Sequence, residues 1–126
     1  MTDEIRKLLE NAKRSPCSRD AAKGGDAEFA AGRAYYAMLH TAQALLRERG
    51  FRYRRHAGVH TAFGEHFAKA GLLDAKYHRW LLDAFDERLR GDYDFEVSLD
   101  TRHVGMRIEQ AKEFIEVATN LLRRMG

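Results

Sequence analysis

The sequence predicts an all-α protein. Three observations carry that reading: a single proline among 126 residues, an abundance of Ala, Leu, Arg, Glu and Lys, and no sustained alternation of apolar and polar residues of the kind a half-buried strand needs. A chain of this length is the ordinary size of one domain and buries a core without help from metals or disulfides. No internal repeat, low-complexity tract or linker divides it, so residues 1–126 read as one unit.

The first helix is expected from Thr2 to Arg14, with Ile5, Leu8, Leu9 and Ala12 on one face. Ser15 and Pro16 interrupt it. Proline inside a helix lacks a donor and clashes with the preceding turn, whereas Ser-Pro suits an N-cap and first helical position. A kink or a short restart ending at Gly24 and Gly25 is therefore expected. Asp26 suits the N-cap of a long second helix that runs to about Arg49 and stops at Gly50. In it Ala30, Ala34, Met38, Ala42 and Leu45 form an apolar stripe beside a second stripe of Phe29, Arg33, Tyr36 and His40, as in the central helix of a bundle.

A third helix from about His56 to Ala70 presents Val59, Ala62, Phe63, Phe67 and Ala70 to the core and ends at Gly71, after which Leu72 and Leu73 cover an end of the core. The fourth begins near Asp74, packs Tyr77, Leu81, Ala84 and Phe85, continues inward with Arg88 and ends near Gly91. A connector over residues 92–99 leads to a last helix capped by Ser98 or Asp100. There Val104, Ile108, Ala111, Ile115, Ala118, Leu122 and Met125 recur in steps of four and three, a seam that must be covered within the bundle or across a dimer.

Charge and cysteine usage narrow the function classes. The net charge of +3 is compatible with nucleic acid or an acidic protein partner without demanding either. Residues Met1 to Arg14 are too charged for a secretory signal, and no apolar run approaches a membrane span, so a soluble, cytoplasmic protein with no membrane contact is expected. The single cysteine, Cys17, cannot form an internal disulfide and has no His or Asp arranged around it. No glycine-rich phosphate loop, serine elbow or spaced acid pair is present, which removes support for kinase-like, hydrolase-like and glycosidase-like chemistry.

Four groups of residues remain as candidates. Arg33, Tyr36 and His40 share one helical face over two turns; a guanidinium, a phenol and an imidazole so placed either bind phosphate and move a proton at a ribose hydroxyl, or form a polar network that fixes helix packing. Arg88 lies on an otherwise apolar stripe and is followed by Asp92 and Tyr93, so it is either paired with Asp92 or Asp86 or turned towards a phosphate. The segment Arg47 to Arg55 interleaves five arginines with Phe51 and Tyr53, and Arg52, Arg54, Arg55 and His56 suit phosphate contact with base stacking, or else a solvated or partner-facing loop. His56 and His60, four apart, have the spacing of a metal pair but no acid in the HExxH arrangement and no nearby cysteine; neither a metal nor another cofactor is expected.

The strings Arg33-Ala-Tyr-Tyr-Ala-Met-Leu-His40, His56-Ala-Gly-Val-His-Thr-Ala-Phe-Gly-Glu-His-Phe-Ala-Lys-Ala-Gly-Leu-Leu73 and Arg88-Leu-Arg-Gly-Asp-Tyr93 resemble the HEPN domain, specifically its small branch labelled UPF0332, over roughly Ala21 to Leu122. The resemblance implies an up-and-down bundle of about five helices, a homodimer, and pairing with a minimal nucleotidyltransferase in prokaryotic two-gene toxin-antitoxin or defence systems. Several HEPN relatives are metal-independent ribonucleases, and some bind nucleotides. Ribonuclease members carry an arginine followed after four to six residues by a histidine; here Arg88 stands at that place, but positions 93 to 95 are Tyr93, Asp94 and Phe95. A phenol, with an ordinary pKa of about 10, is a poor general base at neutrality.

Three functions follow from the resemblance, in order of preference. The first is a dimeric interaction module for the nucleotidyltransferase, with Arg88, Asp92 and Tyr93 lining a polar groove near the contact. The second is an RNase toxin in which Arg88 stabilises phosphoryl charge and His40 or His56 supplies acid-base chemistry, with Arg33 and His40 as the substitute pair and Tyr93 as a hydrogen-bond donor. The third is a nucleotide-binding accessory domain.

Overall fold

The computed structural model describes residues 3–14, 27–93 and 101–125, the side chains of residues 13–14, 27–31, 87–93 and 101–102 excepted. The described residues form five α-helices and no strand: α1 (Asp3–Arg14), α2 (Ala27–Glu48), α3 (His56–Phe63), which continues into a π-helical turn over Gly64–Ala68, α4 (Ala75–Tyr93) and α5 (Thr101–Met125). No described helix is long and apolar enough to cross a membrane. The expected interruption at Ser15-Pro16, the glycines at 24 and 25, Cys17 and the caps at Asp26, Ser98 and Asp100 lie outside the described residues.

α2 is the hub, packing against all four other helices. Alanine is the best helix former and adds no bulk beyond a methyl group, so a helix rich in it is stable and closely approachable on several sides. Ala34, Tyr35, Ala37, Met38, Ala42, Ala44 and Leu45 are accordingly buried without remainder, as is Thr41, whose Oγ1 donates to the Ala37 carbonyl at 2.7 Å. Against this hub α1 buries Ile5, Leu9 and Ala12, and α5 buries Val104, Ile108, Ala111, Ile115, Ala118 and Leu122. The four-three seam of α5 is thus consumed inside the chain. Each fully buried Leu, Ile, Met or Phe contributes about 2 kcal/mol by leaving water.

The glycine stops at Gly50 and Gly71 are as expected. Gly50 and Gly71 take φ values of +86° and +77°, a conformation that costs glycine no Cβ clash. Each closes a Schellman turn: the Phe51 amide donates to Leu46 and the Gly50 amide to Arg47, and the Leu72 and Gly71 amides donate to Phe67 and Ala68. Asp74 caps α4 by accepting the Lys76 amide through Oδ1 at 2.9 Å.

Two boundaries and the burial of two residues differ from the expectation. The third helix widens after Phe63, with the Lys69 amide reaching back to the Gly64 carbonyl at 2.8 Å. The widening coincides with a glycine against which the ring of His78 packs so closely that a Cβ there would fall 2.5 Å from it. α4 runs on to Tyr93, so Asp92 and Tyr93 are helical backbone rather than connector. Leu73 is buried, but Ala70 and Leu72, both expected against the core, face solvent.

Candidate functional site

Over residues 33–47 of α2, the residues that escape burial form one stripe. Arg33 is exposed on it, while Tyr36, His40, Gln43 and Arg47 are half-buried, at steps of three and four. The rings of Tyr36 and His40 stack with centroids 6.1 Å apart and planes 26° off parallel. His40 Nδ1 lies 3.2 Å from Gln43 Oε1, and because a carbonyl oxygen only accepts, Nδ1 carries the proton. Arg33 and His40 are two turns apart, about 10 Å along the axis, with Tyr36 between them.

One residue inward, Tyr35 is fully buried and joins the stripe to α3 and α4. Its hydroxyl lies 2.8 Å from His60 Nε2 and 3.3 Å from His56 Nδ1. A phenol has one proton, so it donates to one imidazole at most and accepts from the other. Burial, then the neighbouring His56 and His78, push the His60 imidazole down to about 4, with Asp86 pulling the other way. Neutral His60 is the natural acceptor for the shorter bond, and His56 Nδ1–H then donates to the phenol oxygen. Phe85 of α4 completes the cluster, 5.4 Å from Tyr35, 6.5 Å from His56 and 4.7 Å from His60 between centroids. On the far side of His60, His78 Nε2–H donates to the His60 carbonyl at 3.0 Å.

The arginine-rich loop runs back alongside this stripe. It begins at the Arg47 end, where Glu4 of α1 is bonded to Arg47 through Oε1 and to Arg52 through Oε2 at 3.4 Å. It finishes at the Tyr36 end, where His56 meets the Tyr36 ring edge-on at 6.1 Å. Phe51 anchors its start by stacking on His66 at 4.2 Å, and Tyr53 lies over Gly58, 3.1 Å from where a Cβ would be. Arg52, Arg54 and Arg55 are exposed. The result is a polar track with rings in the middle and guanidinium groups along one side and at one end.

Of the residues singled out from the sequence, Tyr36, His40 and His56 are brought together, and Arg52, Arg54 and Arg55 line the adjoining loop. Arg33 shares the stripe of α2. Arg88, Asp92 and Tyr93 continue α4 beyond Phe85, but their side chains lie outside the described residues. His56 and His60 share a hydroxyl partner, and among the described residues no three His, Cys, Asp or Glu side chains converge as metal ligands do. Tyr35 was missed. The signal was present, because position 35 falls between the buried rows at 34 and 38 and a buried tyrosine needs a partner for its hydroxyl. Arg107, buried on α5 and bonded to Gln110 Oε1 at 2.8 Å, was missed as well.

Residues 5–125 match the family model of the HEPN domain. A UPF0332 protein of Gloeobacter violaceus is 32% identical over 97% of this chain and 98% of its own length. A UPF0332 protein of Thermotoga maritima is 30% identical over 74% of this chain and 70% of its own. A protein of Methanocaldococcus jannaschii, named as a candidate toxin, is 30% identical over 76% of this chain and 66% of its own.

Proposed function

The chain belongs to the HEPN domain family, and on that premise we propose that it is the toxin-type half of a cytoplasmic two-gene pair, acting as a homodimeric module that binds a minimal nucleotidyltransferase. The observation that carries this reading is the match along nearly the whole chain to a family with relatives named as candidate toxins. The sequence adds that Tyr93, Asp94 and Phe95 stand where the ribonuclease members place a histidine, so the Arg88 motif serves recognition rather than cleavage. Arg88 and, one turn further on, Asp92 and Tyr93 at the end of α4 are the residues that meet the partner in this reading. Co-expression with the neighbouring gene product, followed by size-exclusion chromatography with light scattering, tests it. A hetero-complex built on a dimer of this chain is expected, and Arg88→Ala with Tyr93→Ala weakens it; a monomer that captures no nucleotidyltransferase overturns it.

One observation favours a second reading, RNA contact with metal-independent cleavage. The imidazoles of His40 and His56 flank Tyr36 and adjoin an arginine-rich loop, the combination that stacks a base and holds its phosphate. In this reading one imidazole accepts the ribose 2′-hydroxyl proton as the 2′-oxygen attacks phosphorus, the P–O5′ bond breaks and the 5′-oxygen leaves with a proton from the other imidazole, while Arg88 or Arg33 steadies the phosphoryl charge; the products are a cyclic phosphate and a 5′-hydroxyl. The arginines holding a free nucleotide without hydrolysis is the remaining alternative. Incubating purified protein with RNA and a metal chelator separates them: cleavage lost in His40→Ala or His56→Ala supports catalysis, and intact RNA in every sample dismisses it.

A further inference from the structure

We propose that Arg47 and Arg52 form a phosphate-binding subsite at one end of the polar track, and that Glu4 of α1 occupies it in the free protein as an internal competitor. Two guanidinium groups from different elements converge on the two oxygens of one carboxylate. A carboxylate held in that way is chemically close to a phosphate, since both present paired oxygens to N–H forks. The position supports a ligand role. Arg47 is the last member of that stripe of α2, four residues beyond Gln43, which is itself bonded to His40. Arg52 opens the loop that rejoins the stripe at Tyr36.

The competitor is easily displaced. The Arg52 side chain is 76% exposed and that of Glu4 46%, so water screens the contact and a phosphate can reach it. Arg47, 25% exposed, is the more fixed of the two cations. From Arg33 to Arg47 the stripe extends about 20 Å at the helical rise, a span over which several nucleotides of a single strand fit. A strand lying along it stacks a base against the Tyr36 and His40 rings and places a phosphate at the Arg47 end, where Glu4 must give way. The subsite recognises a phosphate group whatever carries it; that the carrier is RNA rests on the second reading above.

Two probes separate those levels in the intact protein: inorganic phosphate, followed through the guanidinium NMR resonances of Arg47 and Arg52, and a short single-stranded RNA, followed by fluorescence anisotropy at low salt. Glu4→Gln keeps the size of the side chain and removes its charge. It is expected to tighten both probes about three- to ten-fold, and Arg47→Gln in the same chain is expected to abolish the gain. Phosphate shifts enhanced by Glu4→Gln without any RNA binding keep the subsite and retire the RNA reading. RNA binding that Glu4→Gln leaves unchanged, with no phosphate response at either arginine, overturns the subsite while leaving that reading intact.

Discussion

The two sides of α2 are made of opposite materials. Towards α1 and α5, apart from Arg47 at its C-terminal end, which reaches Glu4, it presents methyl and methylene groups that the helices bury. Towards α3, the loop and α4 it presents Tyr35, Tyr36 and His40, which pack ring against ring; Tyr35 meets His60 of α3 through a hydrogen bond, and His40 is held by Gln43 of α2 itself. The first side gains by area removed from water and tolerates any arrangement that fills space. The second gains little net energy from each bond but loses much when a partner is missing. Stability and specificity are thereby assigned to different faces of one helix, and the experiments that follow probe that division.

The largest effect belongs to the apolar side. Leu45→Ala removes a side chain with no exposed surface and leaves a cavity that surrounding helices fill only in part, at a cost of about 3 kcal/mol in denaturant unfolding. A cost under about 1 kcal/mol would show that this side is loosely packed and break the contrast.

The polar side should respond instead to pH. His60 titrates near 4 in the folded chain, against 6.5 for the free side chain. Between those values the unfolded chain binds a proton that the folded chain refuses, so stability falls as pH drops from about 6.5 towards 4 and the loss is complete below it. Allowing for solvent near the site, the loss is about 2 kcal/mol. The charged neighbours are His56 and His78, which oppose protonation, and Asp86, which favours it. In His60→Gln this part of the pH slope disappears; an unchanged slope would place the titration elsewhere.

A smaller effect tests how tightly the rings are fitted. Gly64→Ala puts a methyl group 2.5 Å from the His78 ring, which must swing away and abandon the His60 carbonyl. The net cost is about 1 kcal/mol, the lost bond being partly offset by the better helix former. In the His78→Ala background the same substitution becomes neutral or stabilising, and equal costs in both backgrounds would remove the claimed coupling.

The legibility of the sequence followed the same division. The apolar side was readable because its rule is periodic: Ile5, Leu9 and Ala12, the α2 row from Ala34 to Leu45 and the α5 seam are one-face patterns that burial obeys. Gly50, Gly71 and Asp74 were readable because each answers a local demand of a helix end. The polar side depends on what stands opposite, which no local pattern encodes. Tyr36 and His40 were found by their shared face, but Tyr35 needed knowledge that α3 would bring His56 and His60 to its hydroxyl. The widened turn at Gly64 likewise lies against a ring from α4, that of His78, which no pattern local to the turn encodes.

The smallest expected effect is at Glu4, and its smallness has a consequence. An ion pair this exposed loses most of its Coulomb attraction to water and holds two long side chains in place at an entropic cost. Glu4→Gln should therefore change unfolding free energy by no more than about 0.5 kcal/mol, in either direction, with the difference vanishing at high salt. A loss of 2 kcal/mol or more would mean that Glu4 locks α1 to the loop as a structural clasp. A clasp of that strength would resist displacement, and the Arg47 end of the stripe would then belong with the apolar side of the molecule, as part of what holds the bundle together. A near-zero cost leaves the two arginines gathered at little expense to folding, as a site for exchanging one anion for another requires.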